Sequence, residues 1–462
     1  MVFSSPAFVF VFLPAVFLLY QLIPWHKGRN LLLIAFSLLF YSVGSLVHLP
    51  LLLAVALVNY LAGCWFRSRR GGRRLVLILT VVLNLGVLAT FKYLDFLTAT
   101  FNALLGWNLS LPGLVLPIGI SFFTFQGLSY AIDTFRDPDA GTRSFPEVLL
   151  YLSFFPQLIA GPIIKYHDVS EQIHSRKTSL EGTAAGLRRF LVGLSKKLLL
   201  ADVLAPVVDG IYAQAQGADV RLTVLATVCY VLQIYFDFSG YSDMAIGMGR
   251  MFGFRFLENF NDPYCASSVR EFWRRWHISL SSWFKEYVYI PLGGNRRGTV
   301  RTCWNLLLVF FLTGLWHGAN WTFVVWGLWH GLWSVLERQT PLKKLSGTVL
   351  GHVETLIVVG LGFVLFRAET FSQATALLQG FARWSFSREA TLLLRSLMTP
   401  KTWTALGVGC LAAAGAHRNL AAHLAEKPLA RTLSYAASLA LFGLCCLRLA
   451  GASFNPFIYF QF

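Results

Sequence analysis

The 462 residues are 56% hydrophobic, 15% aromatic and only 13% charged, with a mean hydropathy of +0.58. Soluble domains carry about 25% charged residues, so a water-soluble globule is excluded. The net charge of +17 sits in short loops between apolar runs with no nucleic-acid-binding motif beside it, which excludes a nucleic-acid partner and points to the basic face of a membrane protein.

Apolar runs follow one another along the whole chain, at 7–24, 31–47, 50–66, 75–92, 113–133, 146–164, 187–207, 221–238, 303–316, 320–336, 353–366, 403–416 and 432–450. Many reach the ~17–20 residues that cross a hydrocarbon core. The expected fold is all-α: one polytopic integral membrane domain over residues 1–462, with about 11–13 membrane helices. The segments 146–164 and 303–316 are short and are expected to be tilted or re-entrant. Met1–Pro6 has no basic region, and no small-residue cleavage site follows, so the first run reads as a retained helix and not a signal peptide. Lys27 and Arg29 in the first loop and Arg67, Arg69, Arg70, Arg73 and Arg74 in the third are separated by two crossings. These loops are expected on the cytoplasmic side, which leaves the N-terminus periplasmic. Residues 165–186 form a polar connector assigned to the same side. The seven cysteines are odd in number and contain no C-x-x-C, so neither a disulfide framework nor a zinc site is expected.

Residues 231–337 concentrate polar groups inside apolar sequence, where they are costly and mark function. In Tyr235–Gly247, two aspartates and two serines interrupt the apolar run. Ser239-Gly240 is expected either to open the helix or to leave Ser239 or Asp243 capping a helix N-terminus. Farther on, Arg270, Arg274, His277 and Ser281 share one face if 269–284 is a single helix, with Trp273, Leu280 and Phe284 on another. That amphipathic stripe suits either lipid headgroups at the interface or the phosphates of an acyl donor. Arg296 and Arg297 lie in a glycine-containing basic turn that lacks the phosphate-loop pattern. His317 stands between Gly314 and Gly318 where two apolar segments join, with Trp316 before it and Asn320 after it. Glycines there are expected to leave room beside the imidazole. Histidine moves protons near neutral pH, as acyl transfer to a hydroxyl requires, although a buried structural role is open to His317, His277 and His330 alike. The spacing of the three does not suggest a metal, and no dinucleotide or nucleophile-elbow motif is present, so no tightly bound cofactor is expected.

Taken in order, these blocks resemble the membrane-bound O-acyltransferase superfamily, and within it the bacterial alginate O-acetyltransferase branch. Met1–Ser5, Leu116–Phe122, Leu158–Pro162, Tyr235–Gly247, Glu271–Ser281, Gly314–Asn320, Phe366–Glu369 and Tyr459–Phe462 carry the resemblance. It implies about a dozen helices around a central tunnel, with a catalytic core at about 115–337. It also implies that the essential histidine falls on His317 and the second histidine on His277. Members of the branch take acetyl from a cytoplasmic donor, thought to be acetyl-CoA, for O-acetylation of an extracytoplasmic polysaccharide such as alginate. They work in the bacterial inner membrane with a separate periplasmic acetyltransferase.

The mechanism expected on this basis has His317 as general base and His277 or Asn320 steadying the oxyanion. A variant makes His317 a transient acyl carrier. Asp243, His330, Trp316 and Ser281 are expected to line the passage, with Arg270, Arg274, Arg296 and Arg297 on the donor phosphates. The rivals are a D-alanyl or long-chain acyltransferase and a proton-coupled transporter or flippase.

Overall fold

The computed structural model describes residues 2–68, 71–416, 428–451 and 457, and every regular element among them is helical. Arg69, Arg70, most of the 417–431 connector and the closing Tyr459–Phe462 block lie outside the described residues. The helices are α1 (Phe8–Leu22), α2 (His26–Ser45), α3 (Leu49–Arg67), α4 (Arg73–Leu105), α5 (Ile120–Arg136), α6 (Phe145–Ser153), α7 (Phe155–Leu158), α8 (Tyr166–His174), α9 (Leu180–Ser195) and α10 (Asp202–Tyr212). They continue with α11 (Val220–Met251), α12 (Val269–Arg275), α13 (Ile278–Phe284), α14 (Gly298–His317), α15 (Trp321–Gln339), α16 (Val349–Arg367), α17 (Phe371–Gly380), α18 (Arg388–Leu397), α19 (Pro400–Ala413) and α20 (Pro428–Gly451). Six stretches among the described residues are long and apolar enough to cross a membrane: His26–Arg67, Arg73–Leu105, Val220–Met251, Gly298–His317, Val349–Arg367 and Leu433–Gly451. Outward rows such as Ile78, Leu79, Val82 and Leu83 on α4 are exposed, as lipid-facing side chains must be. The chain is an all-α, polytopic integral membrane protein.

Contacts divide it into two compact units, residues 1–190 with 242–258, and residues 191–241 with 259–462. In the first unit α3 packs on α5 and α6, and α4 on α5. Asn59 on α3 and Asn84 on α4 exchange amide hydrogen bonds of 3.1 and 3.3 Å, and Gly127 of α5 lies against them. A Cβ at Gly127 would come within 2.7 Å of the Asn59 amide nitrogen, so only hydrogen fits. Side-chain bonds tie the polar loops of this unit to neighbouring segments: Asn30 reaches the Ile173 carbonyl, Arg176 reaches Asn30 and His26, Arg67 reaches the Gly141 carbonyl, and Arg73 reaches the Phe135 carbonyl.

In the second unit α14 and α15 form the closest helix pair. A Cβ at Gly314 would meet the Phe323 carbonyl oxygen at 2.3 Å, and one at Gly327 the Phe310 carbonyl at 2.3 Å. The space beside Gly314, expected to make room by His317, is therefore filled by backbone, and that beside Gly318 by the Phe323 ring, which a Cβ there would strike. Gly314→Val is expected to force α14 and α15 apart and to destabilise the protein by about 1–3 kcal/mol, as overpacking does. Thermal unfolding of the purified variant in detergent checks this; an unchanged midpoint would show that the pair is not close-packed in solution.

Two local expectations are corrected. Ser239-Gly240 does not open α11, which runs unbroken from Val220 to Met251, and neither Ser239 nor Asp243 caps a helix. Gly240 serves a close approach instead, since a Cβ there would meet the Gly193 carbonyl at 2.7 Å. Nor is 269–284 one helix: α12 stops at Arg275, α13 starts at Ile278, and His277 between them has φ +44°. The single polar stripe through Arg270, Arg274, His277 and Ser281 is broken, because the turn sends His277 inward while Arg270 and Arg274 stay exposed.

Candidate active site

Two bends in the second unit bring the site's side chains together. His277 sits in left-handed backbone, an uncommon and strained place for a side chain other than glycine or asparagine. Asn259 holds it there. Its carbonyl oxygen accepts from Ile278 N at 2.9 Å. Its side-chain Oδ1 accepts from Ser279 N at 3.2 Å and from Ser279 Oγ at 2.8 Å, and lies 3.2 Å from His277 Nδ1. A backbone N–H can only donate, so the Asn259 atom is an oxygen and His277 Nδ1 must carry the proton towards it. Nε2 then carries the lone pair. The His277 side chain is fully buried, which pushes its pKa down to about 3 and keeps the ring neutral.

His317 ends α14, where Gly318 turns the chain into α15. Its ring centroid lies 6.3 Å from that of His277. Trp316, Trp326 and Phe366 pack edge-on against the His317 ring, each with centroids 5.1 Å away. Trp316 also contacts His277 at 5.9 Å, and Phe238 of α11 closes on His277 at 4.6 Å. Two imidazoles thus share an aromatic enclosure from which bulk water is excluded, His317 itself being only 3% exposed. Trp326 also touches His330 at 5.3 Å, and Trp273 meets the same ring at 5.1 Å, so His330 extends the cluster one helical layer along α15.

The other residues singled out in the sequence scatter. Asn320 caps α15, its Oδ1 accepting from Thr322 N at 3.1 Å and its amide donating to the Glu369 carbonyl at 2.9 Å. Those bonds engage it in holding the bend after His317. Ser281 is half-buried, and its backbone N–H donates to the His277 carbonyl at 3.1 Å. Asp243 belongs to the first unit, where it is 4% exposed and paired with Arg189 at 2.7 Å. Arg270, Arg274, Arg296 and Arg297 are all exposed.

Sequence reasoning missed Asn259, Phe238 as a wall of the site, and a buried ion cluster in which Lys197 Nζ lies 2.7 Å from Asp237 and 2.8 Å from Asp202. Asn259 stands 18 residues before His277 and has no periodicity to announce it. The lysine did leave a trace: Lys196-Lys197 stands in the middle of the apolar run 187–207, where a charge needs a partner. The chain there forms a π-helical turn, Lys196–Ala201, of the kind often found near functional sites.

Comparison with known proteins gives the family. The pattern described as MBOAT, membrane-bound O-acyltransferase family, matches residues 36–342, which include both histidines. A protein of Azotobacter vinelandii named probable alginate O-acetylase AlgI is 40% identical over the full length of both chains. The protein of that name from Pseudomonas aeruginosa is 41% identical over 84% of this chain and 76% of its own. A peptidoglycan O-acetyltransferase of Helicobacter pylori is 35% identical over 82% of this chain and 79% of its own.

Proposed function

The chain belongs to the membrane-bound O-acyltransferase family and is an O-acyltransferase, and on that footing we propose that it moves acetyl from cytoplasmic acetyl-CoA across the bacterial inner membrane for O-acetylation of an extracytoplasmic polysaccharide. The observation that carries the mechanism is the pairing of His277 and His317 inside one aromatic enclosure, 6.3 Å between centroids. One ring nitrogen of His317 takes the proton of the acceptor hydroxyl. The hydroxyl oxygen forms its bond to the thioester carbonyl carbon, the C–S bond breaks, and the thiolate leaves with the proton returned from His317. The attack is one of general-base type and needs no acyl-enzyme. His277, neutral with its Nδ1 proton held by Asn259, presents an acceptor at Nε2 and suits orienting a hydroxyl proton better than steadying an oxyanion. This reverses the expected oxyanion role of His277.

Enclosure by Trp316, Trp326 and Phe366 keeps water from the thioester. The face that carries Lys27, Arg29, Arg67 and Arg73 is cytoplasmic by its charge, which places the N-terminus in the periplasm. The polysaccharide is alginate on the precedent of the Azotobacter and Pseudomonas relatives, with membrane lipid around the helices and a periplasmic acetyltransferase completing the transfer. The Helicobacter relative makes peptidoglycan the second acceptor to test.

Purified protein in lipid nanodiscs, given acetyl-labelled acetyl-CoA and oligomannuronate together with the periplasmic partner, is expected to release CoA thiol in step with acetylated product. Thiol release that does not depend on the chain, or transport of acceptor without acetylation, would overturn the proposal.

A further inference from the structure

The first unit holds a second candidate site that none of the residues above explains. An open basin of about 480 Å³ lies where the start of α9 faces the chain that follows α11. That is within the ~300–1,000 Å³ of small-molecule sites. Three cations line it, Lys177, Arg250 and Arg255, against the single carboxylate of Glu181. The fold builds the basin deliberately. α11 ends at Met251, and Gly253, which lines the basin with Lys177 and Arg255, turns the chain with φ +84°. A Cβ at Gly253 would meet the Lys177 carbonyl at 3.1 Å.

The floor is rigid as well. Phe254, only 2% exposed, is backed by the Arg176 guanidinium 4.3 Å from its ring centroid. Arg176 is itself pinned by the Phe252 carbonyl at 3.0 Å, the Tyr20 hydroxyl at 3.1 Å and the Asn30 side chain at 2.7 Å. Arg176 therefore braces the basin, and the rim cations are left to bind. Lys177, Arg250 and Arg255 are as exposed as Arg270 and Arg274, and a lone exposed arginine acts on an anion as a screened point charge. A concave group of cations acts on it together, and one carboxylate among them selects a ligand that has donors besides its phosphates.

We propose that this basin binds the phosphorylated nucleotide end of the acyl donor, with Lys177, Arg250 and Arg255 on the phosphates and Glu181 accepting from a ribose hydroxyl or a base amine. The inference rests on the acyl-CoA reading above, and it relocates the expected phosphate contacts from the α12 and 296–297 arginines to the first unit.

Adenosine 3′,5′-bisphosphate titrated into the full chain in phosphatidylcholine nanodiscs tests the site without any turnover. Lys177→Glu/Arg255→Glu is expected to weaken its binding about ten- to hundredfold, the range for charge-assisted contacts. The milder Lys177→Gln and Arg255→Gln, with wild-type melting as the check on folding, are each expected to weaken it about tenfold. In the acetyl-transfer assay the same variants should raise KM for acetyl-CoA and leave kcat in place. Unchanged affinity in the folded glutamine variants overturns the proposal. So does loss of nucleotide binding when phosphatidylglycerol is added to the nanodiscs, which would make the basin a lipid-headgroup site. Should nucleotide bind wild type and fail with the variants while acetyl-CoA is never turned over, the basin stands and the acetyl-CoA reaction falls.

Discussion

His317→Ala is expected to lower the rate of acetyl transfer by about 10²–10⁴-fold, the usual contribution of a positioned general base. The melting midpoint is expected to fall as for any truncation of a buried ring, so the rate is compared well below the midpoint on variants matched for membrane expression. His277→Asn supplies the contrast. Asparagine tolerates the left-handed backbone and still offers an amide N–H to Asn259, so the bend survives. It has no equivalent of Nε2, and the rate should fall through loss of hydroxyl orientation while the fold is kept. CoA-thiol release by variants matched for protein in nanodiscs is the measurement. Wild-type turnover by His317→Ala would remove the imidazole from the chemistry; wild-type turnover by His277→Asn would leave that ring a structural one.

Lys197→Met should produce the largest loss of stability, about 3–5 kcal/mol, because it strands buried carboxylates. Lys197 is 3% exposed and Asp237 1%, and the ammonium lies between Asp237 and Asp202. The double variant Lys197→Met/Asp237→Asn removes both partners of the shorter pair and is expected to regain much of the loss. Asp237 immediately precedes Phe238, whose ring closes on His277, so Lys197→Met is also expected to lower turnover even at temperatures where the variant stays folded. Thermal unfolding in detergent, with activity measured well below the midpoint, separates the two effects. A double variant no more stable than the single one would show that the Asp237 carboxylate is not what the lost ammonium leaves uncompensated.

The path from residues to site explains which parts could be read in advance. Apolar length is a local property, so the all-helical membrane architecture was legible in the amino-acid order. So was the concentration of polar residues around His317, because such residues stand out in apolar sequence. What misled was periodicity taken alone. Arg270, Arg274, His277 and Ser281 share a face only if α12 and α13 are continuous, and the left-handed turn at His277 ends that condition. Likewise Ser239-Gly240 has the composition of a break but lies in unbroken helix, where Gly240 lets the Gly193 backbone approach.

By itself, then, the amino-acid order determined a membrane-spanning helical chain and the histidine at the join of two apolar runs, because each depends on neighbours a few residues away. Tertiary structure alone decided that Asn259 orients His277 from 18 residues upstream, that Phe366 walls His317 from 49 residues downstream, and that Lys197 finds Asp237 on another helix. Those contacts are made by side chains that packing brings together, and hydrophobic periodicity carries no information about which polar atom will meet which across helices.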